Sequence, residues 1–214
     1  MNFDLVARSY RWLERLTFGG ALQRCRVALI DYTKNARNVL ILGEGDGRFL
    51  KEFLRVNSTA NVTVVDSSAE MIRLASQRIG QTARVEFVQA DIREIELPET
   101  GCDLIVTNFF LDCFDEPGVD AVIDKIAKKL SPDGHWLWSD FSIPELGFNR
   151  LFARTVVGFL HGFFRLTTGL EARKLADPAP LFRKAGFGPV DEKILRGGLL
   201  KSVLWRRPVR DFCE

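Results

Sequence analysis

The stretch Val39-Leu40-Ile41-Leu42-Gly43-Glu44-Gly45-Asp46-Gly47 constrains this chain more than any other, because a short apolar run breaks there into three alternating glycines. An apolar run bounded by turn residues reads as a buried strand, and Arg48 to Val56 after it reads as a helix. Glycine at a strand-to-helix turn admits a ligand where a Cβ would block it. The N–H groups and dipole of the following helix then face that ligand. A second strand, Asn61 to Val65, ends on Asp66. In nucleoside-binding α/β folds a carboxylate about 20 residues beyond the glycine turn accepts hydrogen bonds from ribose hydroxyls, which is where Asp66 falls. Asp66-Ser67-Ser68 also offers caps for a helix from Ala69 to Ile79, with Ser67 or Ser68 the better cap.

The remainder alternates in the same way. Strands are read at Val85–Val88, leading to Asp91, and at Leu104–Thr107, leading to Asn108. A helix from Gly118 to Leu130 stops at the turn Ser131-Pro132-Asp133-Gly134, and a fifth strand, His135 to Trp138, leads to Ser139-Asp140. Strands alternating with helices argue a parallel sheet with right-handed crossovers. Ahead of this core, apolar residues at helical spacing predict two helices between Asp4 and about Lys34, broken at Gly19-Gly20. After it, a strongly apolar helical stretch from Phe148 to Leu170 is interrupted by Arg150, Arg154, His161 and Arg165, so no span reaches transmembrane length. A short helix over Pro178–Ala185 and a hairpin, Val190–Arg196 and Leu199–Trp205 around Gly197-Gly198, close the chain.

Length and composition are those of a single ordinary globular domain: 214 residues, 46% hydrophobic and 27% charged. The start of the chain lacks a secretory pattern, so a cytoplasmic protein is expected. Its four cysteines (Cys25, Cys102, Cys113, Cys213) have no metal-like spacing and read as free thiols; no metal site is expected. Residues 37–141 carry 11 Lys and Arg against 18 Asp and Glu, whereas both flanks are basic. An acidic centre suits a cationic cofactor and basic flanks suit an anionic substrate or surface, although solvated helix faces account for many such runs.

Together these landmarks resemble the class I S-adenosylmethionine-dependent methyltransferases over nearly the whole chain. The matching residues are Gly43-Glu44-Gly45-Asp46-Gly47, Val64-Val65-Asp66-Ser67-Ser68-Ala69-Glu70-Met71, Gln89-Ala90-Asp91-Ile92, the strand Asp103–Thr107 and the Leu130–Gly134 turn. The resemblance implies an α/β, doubly wound Rossmann-like seven-stranded sheet with its last strand antiparallel, two N-terminal helices and a helical insertion after strand 5. It implies one domain over 1–214, with a helical cap at 1–36 and a helical lid at 142–188. It implies S-adenosylmethionine as cofactor: Gly43, Gly45 and Gly47 along its methionine part, Asp66 on the ribose, Asp91 and Ile92 flanking adenine, and Asn108 and Phe109 at the end of strand 4. Glu44, Ser67 and Met71 join that set from the same matching stretches. One departure stands out: the family usually has an acidic residue two before the first glycine, where this chain has Ile41, so Glu44 or Asp46 is left to supply that charge. The entry Phe3–Tyr10, the run Asp140-Phe141-Ser142-Ile143-Pro144, Ala185-Gly186-Phe187 and the final hairpin are similar to ubiquinone/menaquinone C-methyltransferases and phospholipid N-methyltransferases.

Methyl transfer is an in-line displacement, so alignment and water exclusion carry much of the catalysis, and a base matters only for a protonated nucleophile. Asp112 and His161 are the candidate catalytic residues, and Tyr10 and Asp140 the candidate substrate residues; each is also open to a packing or solvated role. The Phe148–Leu170 helix lies where this family places its lid, and its Phe and Leu content points to an aromatic or amphipathic small-molecule acceptor, with peripheral membrane contact, on a monomer or homodimer. Three rival readings meet specific residues. A nicotinamide dehydrogenase needs G-x-G-x-x-G, but Arg48 occupies the third glycine position. A nucleic-acid methyltransferase is disfavoured by Asn108-Phe109-Phe110-Leu111 and by the lack of an appended basic–aromatic module, so no nucleic-acid partner is expected. A catalytically degenerate member binding a lipid or protein partner is the alternative that Ile41 keeps open.

Overall fold

The computed structural model describes residues 19–80, 82–97, 101–144, 150–151, 153–158, 162 and 175–208. Seven strands form one sheet: β1 (Asn38–Leu42), β2 (Asn61–Asp66), β3 (Val85–Gln89), β4 (Cys102–Asn108), β5 (Leu130–Phe141), β6 (Gly188–Leu195) and β7 (Leu200–Arg206). Their order is β3-β2-β1-β4-β5-β7-β6. Strands β1 to β5 pair in parallel, and β7 runs antiparallel between β5 and β6. This is the α/β, Rossmann-like, seven-stranded sheet expected from the sequence, with the last strand antiparallel.

Parallel strands covered on both faces read as continuous apolar runs, and β1 illustrates it. Leu40 and Leu42 enter one core cluster, beside Ile105, Trp136 and Trp138. Val39 and Ile41 enter the opposite cluster, beside Phe49, Leu50 and Phe53. Aromatic rings close the far end of the first face: Phe182 stacks on Trp205 at 4.9 Å and meets Trp136 edge-on at 4.9 Å.

The helices are α1 (Ala21–Arg26), α2 (Arg48–Val56), α3 (Ala69–Ile79), α4 (Glu116–Ala127) and α5 (Ala179–Lys184). The bounds expected for α2 and α3 are those observed. Ser68 caps α3, its Oγ accepting from Met71 N–H at 3.2 Å. Elsewhere the expectations need correction. The second N-terminal helix is only α1 followed by a 3-10 turn at Ile30–Thr33, and the first lies outside the described residues. Helix α4 starts at Glu116 rather than Gly118, because Asp115 caps it by accepting from Gly118 N–H at 3.0 Å. It ends at Ala127, and Leu130 already belongs to β5. Leu130 pairs with Cys102 and His135 with Leu104, so the anticipated Ser131–Gly134 turn is an irregularity inside β5. Most of the apolar 148–170 stretch lies outside the described residues. Residues 153–158 are helical, and Ala153 and Val157 pack with Leu22, Cys25, Phe141 and Leu200 in a third apolar cluster. Among the described residues no helix is long and apolar enough to cross a membrane.

Candidate active site

From β1 the chain builds outward through β2 to β3, then returns to lay β4 on the other side of β1. In open α/β sheets, ligands bind outside the carboxyl ends of the strands where the order reverses. Here that crevice lies between the loops that follow β1 and β4. Leu42 pairs with Thr107 at its base, so Gly43, just past β1, comes beside Asn108, the last residue of β4.

The three glycines after β1 do different work. All have positive φ: Gly43 at 64°, Gly45 at 68° and Gly47 at 81°. A Cβ on Gly43 would fall 2.4 Å from Phe110 Cδ2, and one on Gly47 would fall 2.7 Å from Ala75 Cα in α3. A Cβ on Gly45 meets nothing within 4 Å. Gly43 and Gly47 therefore serve packing within the fold, while Gly45 keeps one side of the loop open.

Three carboxylates surround this loop. Asp66 Oδ1 accepts from Ser68 N–H at 2.9 Å and Oδ2 from Gly45 N–H at 3.2 Å, tying the end of β2 to the glycine turn. The capping duty falls on Ser68 rather than on Asp66. Asp46 is taken up by Arg78, at 2.7 Å, and by Arg48, at 3.2 Å. Of the two carboxylates that stood to replace an acid at Ile41, this one is spent on structure. Glu44 is buried; its Oε1 accepts from Leu50 N–H at 2.8 Å, giving α2 the first-turn acceptor that its N-cap, Gly47, lacks. Burial pushes the Glu44 carboxyl up to about 8. The Leu50 N–H and Arg26 work against that rise, while Asp46 and Asp66 add to it.

At the end of β4 the backbone of Phe109 takes φ 53°, an outlier for a bulky residue and of the kind that gathers at ligand sites. Its ring meets Phe141 edge-on at 5.2 Å, and the Arg26 guanidinium lies 5.0 Å from its centroid. The Asn108 side chain is buried with neither Oδ1 nor Nδ2 hydrogen-bonded. Of the four buried side-chain polar atoms without a partner among the described residues, three are Glu44 Oε2 and these two atoms. Buried polar groups are otherwise almost always paired, so these atoms, where β1 and β4 end, mark a place built for a polar ligand.

Beyond Phe109, a 3-10 turn at Leu111–Cys113 carries Asp112. Asp140, at the end of β5, is buried behind it. Its Oδ2 accepts from Asp112 N–H at 3.2 Å and from the Trp138 indole at 3.3 Å, and its Oδ1 from Phe141 N–H at 2.8 Å. Burial first, and then the charge of Asp112, raise the Asp140 carboxyl well above the carboxylate range. Asp140 thus braces the turn that presents Asp112. On the other side of the crevice, Asp91 is held by the Arg93 guanidinium at 2.6 Å, which keeps its carboxyl below the usual range. Ile92 and Met71 are buried, and Ser67 is exposed. Tyr10 and His161 lie outside the described residues. Sequence reasoning passed over Arg26, although an arginine one position from Cys25 and three from Leu29, on the apolar face of α1, was a visible signal.

Residues 39–134 match the methyltransferase domain family. A ubiquinone/menaquinone biosynthesis C-methyltransferase, UbiE, of Pseudomonas putida is 26% identical over 170 residues, covering 77% of this chain and 64% of its own length. This chain therefore spans just under two thirds of the curated relatives that it matches. Over these stretches, the family match being somewhat under half of the chain, it is similar to the class I S-adenosylmethionine-dependent methyltransferases.

Solved structures agree with this chain in fold. The mitomycin 7-O-methyltransferase MmcR superposes with TM-score 0.68 at 18% identity, over 97% of this chain and 61% of its own. The 1,6-didemethyltoxoflavin-N1-methyltransferase of Burkholderia thailandensis, solved with bound 1,6-didemethyltoxoflavin and S-adenosylhomocysteine, gives 0.66 at 24%, over 95% and 85%. Carbon, oxygen and nitrogen acceptors thus appear among the names of these proteins, so the fold leaves the nucleophile open. In this chain the partnerless atoms of Glu44 and Asn108 and the open face of Gly45 fit S-adenosylmethionine, the cofactor of the proteins it resembles.

Proposed function

We propose that this chain transfers the methyl group of S-adenosylmethionine to a small acceptor of aromatic or amphipathic character. The partnerless polar atoms of Glu44 and Asn108, beside the open side of Gly45 at the switch point of the sheet, carry this reading. Gly45, Glu44 and Asn108 hold the methionine part, Asp66 the ribose, and Ile92 with Asp91 the adenine. When bound, the cofactor supplies a methyl group on a cationic sulfur. The protein aligns a nucleophile behind that methyl and keeps water away. Asp112, presented by the brace from Asp140, accepts the proton of an acceptor that arrives protonated. His161 is a second proposed proton acceptor.

The acceptor class follows from the wall beyond Phe109. Phe109 and Phe141 pack with Ala153, Val156, Val157 and Leu175, so the side of the crevice next to the lid region is apolar. The same proposal comprises a single domain capped by residues 1–36 and 142–188, a cytoplasmic monomer or homodimer, an amphipathic acceptor reached at a membrane surface, and no nucleic-acid partner.

The test is incubation with methyl-labelled S-adenosylmethionine and a panel of phenols, quinols, amphipathic amines and duplex DNA. The expected result is label transfer, with release of S-adenosylhomocysteine, to one of the first three classes. Cofactor binding without transfer to any acceptor would instead favour the degenerate, partner-binding reading.

A further inference from the structure

The loop after β1 holds three carboxylates, and two are accounted for. Asp46 neutralises Arg48 and Arg78, and Asp66 accepts from the amides of Gly45 and Ser68. Glu44 differs from both. One oxygen serves the Leu50 N–H, and the other, fully buried, has no hydrogen-bond partner. Helix capping needs only the first oxygen, and the side-chain oxygen of a glutamine would supply it as well. A buried acceptor left unpaired is costly, so its retention calls for a donor that arrives from outside.

We propose that Glu44 anchors the ammonium group at the amino-acid end of the cofactor, Oε2 accepting from it while Oε1 keeps the Leu50 N–H. The inference rests on the cofactor reading above. An ammonium meets the need because it is both a cation and an N–H donor; a sulfonium has no hydrogen to donate, and ribose belongs to the β2 side of the crevice with Asp66. The acid that this chain lacks at position 41 is thereby replaced from a different place. Ile41 points into the apolar cluster of Phe49, Leu50 and Phe53, whereas Glu44 leaves the sheet with the glycine loop. The charged groups that act on Glu44 are Arg26 from α1, Asp46 from its own loop and Asp66 from β2. In the ligand-free protein burial keeps the Glu44 proton in place at neutral pH, and an arriving ammonium favours its ionised form; Asp46 is already taken up by Arg48 and Arg78.

The experiment is calorimetric titration of the full chain with S-adenosylhomocysteine and with 5′-methylthioadenosine, which lacks the amino-acid end. Wild type should prefer the former. Glu44→Gln, isosteric and still able to accept from Leu50, should lose roughly tenfold or more in affinity for S-adenosylhomocysteine, the worth of a hydrogen bond to a charged group. Its affinity for 5′-methylthioadenosine should stay within about twofold, because that ligand never makes the contact. In wild type the affinity for S-adenosylhomocysteine should rise between pH 6.5 and 8, and in Glu44→Gln that rise should vanish. Equal losses for both ligands would assign Glu44 to capping alone, and unchanged affinity for both would remove it from the site; either overturns the proposal. Failure of wild type to bind either ligand would overturn the cofactor reading and this inference with it.

Discussion

Gly45 and Gly47 share a left-handed backbone but not a purpose, and substitution separates them. Gly47→Ala drives a Cβ to within 2.7 Å of the α3 backbone, adding overpacking to left-handed strain, so a loss of about 3 kcal/mol in urea unfolding is expected. Gly45→Ala carries the strain alone, about 1 kcal/mol. It should nevertheless weaken S-adenosylhomocysteine binding, since its new methyl enters the side of the loop kept open. Glu44 makes a second prediction. Its carboxyl titrates at about 8 in the fold against 4.5 ordinarily, so between those values the folded state holds a proton that the unfolded chain has released. Ligand-free stability should therefore fall as pH rises from 4.5 to 8, by up to about 1.4 kcal/mol per unit. Glu44→Gln should flatten that slope in unfolding titrations at pH 5.5 and 8. Asp112→Asn, by contrast, should lower turnover about tenfold to a hundredfold or more for a protonated acceptor, within the usual worth of a proton-transfer group. S-adenosylhomocysteine affinity in that variant should be unchanged in the same calorimeter. The Cys25 and Cys102 thiols are pushed up to about 12 and about 11 by burial, so neither is a nucleophile at neutral pH.

At the scale of elements, the caps decide where helices begin. Ser68→Ala removes the acceptor for Met71 N–H and should cost about 1 kcal/mol, read as a lower urea midpoint with secondary structure content retained. The helices α2 and α3 were legible in the sequence because their signals are local: glycine or serine at the start and an apolar stripe after it. The start of α4 was equally local, since Asp115 is a capping residue and Pro117 suits a first turn, two residues ahead of the expected Gly118. The end of α4 was a different matter. Ser131-Pro132-Asp133-Gly134 has the composition of a free turn, but Leu130 finds a partner in Cys102, 28 residues away, and β5 begins before the turn. Strand pairing is a non-local bargain that turn composition does not reveal.

For the whole molecule, the crevice is a product of strand order. Occupying it should stabilise the fold: S-adenosylhomocysteine at about 100 times its dissociation constant adds roughly 2.7 kcal/mol. In a chain of this size that is a rise in Tm of about 5–10 °C in a thermal melt. NAD at the same concentration should give none, because Arg48 stands where close pyrophosphate approach requires glycine. The sequence by itself determined the alternation of strands and helices, the glycine turn and the carboxylate at the end of β2, because periodicity and backbone conformation are properties of neighbouring residues. Only the tertiary structure decided which carboxylate is spent and which is left over. Asp46 and Glu44 are two residues apart and alike in chemistry, but Arg78 reaches one from α3 while burial closes over the other. Charges are neutralised by whatever the fold brings beside them, and that is a property of space rather than of sequence.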